Sequence, residues 1–131
     1  MKSVDERLIS ALSPVFGIRN VYVNITADEL ETDASGQYVP FCVVSSIGGD
    51  ILQNMSERMY DRNKSNWRFE VCVCAARAED ARLYSKQAET AIISSNEFIT
   101  ARALNNCQDD IIREMNLYAR TQDFDLWASN L

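Results

Sequence analysis

Residues 66–78 set the tightest constraint on the fold. Trp67, Phe69, Val71 and Val73 alternate with Arg68, Glu70, Cys72 and Cys74. A period of two rich in β-branched and aromatic residues predicts a strand over Asn66–Ala75. The period then changes within two residues. From Arg77 to Ser95, the residues Ala81, Tyr84, Ala88, Ala91, Ile92 and Ser95 fall on one narrow helical face, and its small alanines allow close packing on a sheet. A strand that runs straight into such a helix requires a layered structure, helix on sheet.

The other segments fit the same plan. Ser3-Val4-Asp5-Glu6 is a capping box, with a hydroxyl for the orphan amide three residues on and a glutamate reaching back. Val4, Leu8, Ala11, Leu12 and Val15 form the apolar stripe of a first helix, which Pro14 is expected to end near Leu12 or Ser13. Val21, Val23 and Ile25 alternate with polar neighbours in a strand over Asn20–Thr26, and a second strand spans Tyr38–Ile47 with Pro40 near its start. Between them, Asp28, Glu29, Glu31 and Asp33 occur without a base, which marks a solvated loop. The strands at 38–47 and 66–75 are expected to pair antiparallel across a long connection. Residues 97–104 are ambiguous between helix and strand. A strand over 105–112, a turn at Glu114-Met115-Asn116 and a final strand over Leu117–Ala128 complete the chain. The expected fold is α+β: a mixed, mostly antiparallel sheet of four to five strands flanked by two helices, in the order α-β-β-long loop-β-α-β-β. With no repeat or linker, residues 1–131 read as one domain.

Composition narrows the chemistry. Histidine is absent, which removes imidazole acid–base catalysis, His triads and His metal sites. The net charge of -6 argues against a broad phosphate-neutralising face. The charged N-terminus does not resemble a secretory signal, and no apolar run reaches the ~18 residues of a membrane span. Cys42, Cys72, Cys74 and Cys107 match neither a CxxC pair nor a paired zinc motif, so they read as small buried hydrophobes in a reducing compartment. Cys72 and Cys74 share one strand face and are poorly placed to bridge each other.

Few residues remain as candidate sites. Lys2, Lys64 and Lys86 lie in no nucleophile motif, and Gly48-Gly49 lacks the phosphate-loop pattern. Asp109-Asp110 and Asp123/Asp125 are paired carboxylates, a type that recurs on wet sheet faces and also holds divalent ions. The 48–65 connection is long for so small a chain, which favours a functional role. It carries Met55, Met59 and Tyr60 at i, i+4 and i+5, either a short core helix or an adaptable interface anchor, beside the cations Arg58, Arg62 and Lys64.

In element order and size the chain resembles the tail terminator, or tail-completion, proteins of long-tailed bacteriophages and prophages. The resemblance rests on the amphipathic helix Glu6–Phe16, the strand Tyr38-Val39-Pro40-Phe41-Cys42-Val43-Val44, the aromatic-led strand 67–75 running into the Ala-rich helix, and the aromatic-ended strand Leu117–Trp127. It implies a non-enzymatic structural protein, without cofactor, metal or membrane, located in the virion at the tail–neck junction. Such a protein assembles as a homo-hexameric ring, ends polymerisation of the tail tube protein and offers a surface to the head-completion or connector protein. DNA passes through the ring without sequence-specific binding. On that resemblance, Met55, Arg58, Met59, Tyr60, Arg62, Lys64 and Trp127 are the candidate subunit and tube contacts, since ring closure joins two unlike patches. A neck head–tail adaptor shares these cues. A small dimeric ligand-binding domain and a metal enzyme built on Asp109, Asp110, Asp123 and Asp125 are the competing readings from other classes.

Overall fold

The computed structural model describes residues 3–23, 30–48, 64–104 and 106–129. Helix α1 (Val4–Phe16) begins as the capping box requires: the Ser3 hydroxyl accepts from the Glu6 amide at 3.1 Å. It does not stop at Pro14. The helix runs on to Phe16, because proline costs one intrahelical bond while the burial of Phe16 beyond it holds the last turn. Gly17 then takes φ +87°, a region open to glycine, and its amide donates to the Ser13 carbonyl at 2.7 Å. A 3₁₀ turn (Ile18–Asn20) leads into strand β1 (Val21–Val23).

Strands β2 (Phe41–Gly48) and β3 (Lys64–Ala75) pair antiparallel, as the alternation predicts, with Val44 opposite Val71. Pro40 falls just before β2, and Tyr38 forms an isolated bridge with Thr32. Helix α2 (Ala78–Ile93) follows β3 directly. The ambiguous stretch resolves as strand β4 (Thr100–Ala103), then β5 (Gln108–Ile112), a tight turn with Asn116 in the left-handed region, and β6 (Leu117–Ser129). Among the described residues the sheet therefore has six strands in the order β1-β2-β3-β6-β4, with β5 also on β6. β1 is parallel to β2 and all other pairings are antiparallel. The fold is α+β, and the sixth strand arises because the edge beside β6 is split into β4 and β5.

Both helices cover one face. Leu8, Leu12 and Phe16 of α1 and Ala88 and Ile92 of α2 pack on Cys42, Val44, Phe69, Val71, Val73, Phe124 and Leu126. The rings of Phe16 and Tyr84 join the helices, with centroids 5.8 Å apart. Arg7 ties α1 to the turn after α2, donating from Nη1 to the Glu97 carbonyl at 2.8 Å. The opposite face divides in two. Its lower half is a smaller apolar cluster of Phe41, Cys74, Leu117 and Ala119, capped by Leu30, Tyr38 and Met115. Its upper half is charged.

Candidate functional site

The charged half is built by strand parity. Arg68 on β3, Asp125 on β6 and Arg102 on β4 are direct cross-strand partners, so all three point away from the helices in one row. Arg68 grips the carboxylate with two bonds, Nε to Oδ1 at 2.9 Å and Nη2 to Oδ2 at 3.3 Å. Arg102 Nη2 donates to Oδ2 at 3.1 Å from the other side. Asp125 is only 2% exposed, yet both guanidinium groups reach solvent. Burial pushes the Asp125 carboxyl up, but the hydrogen bonds and charges of Arg68 and Arg102 outweigh it and hold it below the ordinary carboxylate value. The same contacts raise Arg68 above its ordinary value.

The paired carboxylates of the sequence are separated or engaged in this geometry. Asp109 and Asp110, adjacent in β5, project to opposite faces, and Asp109 accepts from Arg120 Nη1 at 2.9 Å. Asp123 and Asp125 do share a face, but Asp125's oxygens are occupied by arginine and Asp123 is bound by the Asn106 side chain. Among the described residues, no group of three acids or cysteines is arranged to hold a metal ion. Asn106 has a different role: its Oδ1 accepts the Asp123 amide at 3.2 Å, so a side chain replaces main-chain pairing where the edge breaks between β4 and β5.

Of the other sequence-predicted site residues, Met55, Arg58, Met59, Tyr60 and Arg62 lie outside the described residues. Lys64 opens β3 opposite Ser129, and Trp127 stands half-buried in β6 between Asn66 and Thr100. Lys64 and Trp127 thus share one end of the central ladder. The Arg68–Asp125–Arg102 row lies next to Trp127, and sequence reasoning missed it. Its signal is the outward parity of the charged residues, which acquires meaning only once the β3–β6–β4 register is known.

The cysteines divide by face and depth. Cys42 is buried on the helix side, where desolvation pushes its thiol up. Cys72 and Cys74 point to the other face with sulfurs 3.8 Å apart and unbridged. Their mutual hydrogen bond lowers Cys72 and raises Cys74. Cys107 is exposed, against the expectation of burial for all four. A thiol reagent added to the native protein is expected to modify Cys107 first, with Cys42 and Cys74 reacting only on unfolding. Equal labelling rates at all four sites would contradict this arrangement.

The fold and this surface define a class: among the described residues, a two-layer α+β domain with helices α1 and α2 on one side of the sheet and a charged row on the other. No family model matches the chain, and no curated protein matches it. In fold it is similar to a chain of the virion of a native gene transfer agent particle, at TM-score 0.57 and 13% identity, over 97% of this chain and 95% of that one. A crystal structure from Akkermansia muciniphila aligns at TM-score 0.46 and 10% identity, over 95% of this chain and 74% of that chain.

Proposed function

We propose that the protein is a structural subunit of a phage-type virion, acting as a tail terminator. The near full-length likeness to a gene transfer agent virion chain, in which neither chain leaves a large segment unmatched, supports the virion part of this reading, and the order and size of the sequence elements support the terminator part. In this role residues 1–131 form a single assembling domain. Six copies close as a ring on the end of the tail tube, stop its growth and present a surface to the head connector, and DNA passes through the centre. The protein works by contact and catalyses no reaction. A net charge of -6 suits a channel that lets phosphates slide.

The deciding experiment inactivates the gene and measures tail length by electron microscopy. Tails far longer than normal beside unattached full heads are the expected result. Tails of normal length with unattached heads would move the protein to the neck, and normal particles would overturn a virion role.

A further inference from the structure

Cys72 and Cys74 are two residues apart in β3, so both side chains leave the sheet on the face away from the helices. β3 is bonded to β2 on one side and β6 on the other at these positions, which fixes the two β-carbons. Cys72 lies between Val43 and Thr121, and Cys74 lies between Phe41 and Ala119. The two sulfurs lean together to 3.8 Å. Phe41, Leu117 and Ala119 wall the deeper thiol, Cys74, while Cys72 is half-buried and reaches the surface. Asp110 shares a cross-strand row with Cys74, and the charges of Asp110 and Glu70 both act on Cys72.

We propose that the Cys72–Cys74 pair is a two-thiolate binding site for a soft metal ion of the Cu(I) type. With a metal–sulfur bond of about 2.3 Å, the 3.8 Å separation gives an angle of about 110° at the metal, so both sulfurs can hold one ion with little movement. The paired strand holds the two thiols in place beforehand, which spares the cost of ordering them on binding. Among the described residues no third acid or cysteine joins them in a group fit for a metal. That count disfavours zinc, whose sites take three or four protein ligands. Soft thiolates select Cu(I), and the open side of Cys72 admits one outside donor. The apolar wall around Cys74 keeps water from the ion, and the charges of Glu70 and Asp110 favour a cation there. Binding exchanges two S–H bonds for two metal–sulfur bonds and releases two protons. Cys42 belongs to the helix-side core and takes no part.

The test titrates the full-length, reduced protein without oxygen, with Cu(I) supplied on a coloured chelator of known affinity. The wild type should withdraw one ion per chain and develop thiolate-to-metal absorption in the near ultraviolet. Cys107→Ser, which removes the exposed thiol, should behave identically. Cys72→Ser should bind more weakly by over about a hundredfold, since losing a ligand costs more than the 10–100-fold of losing a group behind one. Cys72 is half-buried, so this variant should keep its fold, which its urea midpoint without metal checks. Cu(I) should also raise the melting temperature of the wild type and leave that of Cys72→Ser unchanged. Absence of uptake by the wild type would overturn the site. Uptake by Cys72→Ser equal to wild type, or its loss in Cys107→Ser, would place the ion elsewhere and overturn it as well. Displacement of Cu(I) by an equal amount of zinc would overturn the choice of a soft ion. None of these outcomes bears on the virion role, which tail length decides.

Discussion

Truncating Phe124 to alanine is expected to lower stability by about 3–5 kcal/mol, read as a shift of the urea midpoint with an unchanged m value. Phe124 is 1% exposed in the middle of β6, opposite Phe69 on β3 and Ala103 on β4, and it belongs to the core beneath the helices. The pairing makes the loss severe. Ala103 is too small to move into the vacated space, and Phe69 is fixed by its own strand, so the cavity stays open. Domains of this kind hold only about 5–15 kcal/mol in total, so one such cavity removes a large share. A loss below about 1 kcal/mol would show that the layer is not packed around this ring.

Replacing Arg68 and Arg102 together with methionine should cost about 2–4 kcal/mol at neutral pH. Removing both partners strands a buried carboxylate, which in a dry site costs about 3–5 kcal/mol. The figure is discounted because Arg102 is 66% exposed and water reaches that side of the row. The pH dependence identifies the cause. In the wild type the folded Asp125 carboxyl lies below its unfolded value. Its contribution is therefore present above the unfolded value, about 4, and is lost as pH falls through the lower folded value. In the double variant burial acts alone and raises the carboxyl, so that contribution reverses sign: it is present at low pH and lost as pH rises. The stability gap between the two proteins should narrow on acidification from pH 7 to about 3. A gap that does not change with pH would mean that lost arginine packing, rather than the stranded charge, is the cause.

The strands and helices with the cleanest periodicity were legible in the sequence. The alternation of 66–75, the capping box at Ser3 and the paired strands 38–47 and 66–75 all express one residue's relation to its near neighbours. The helix past Pro14 was not legible, because the burial of Phe16 against α2 is a tertiary effect that overrides a local rule. The region 97–112 was ambiguous for a related reason. Thr100–Ala103 has too few apolar residues to declare itself, and it is a strand because β6 pairs with it. The candidate site was least legible of all. Arg68, Arg102 and Asp125 are 57 and 23 positions apart across the row, and nothing in their spacing announces that they meet.

The position of β6 has a further consequence. It is an inner strand, bonded to β3 on one side and to β4 and β5 on the other, yet every other element precedes it in the chain. During synthesis on the ribosome, β3 and α2 emerge long before the strand that must fill the gap beside them. Until then Phe69 and Val71 lack half of their cover. Its ladder with β3 joins residues as far apart as Lys64 and Ser129, a non-local topology that slows folding. A nascent chain of this kind waits with an open seam until translation passes Leu126.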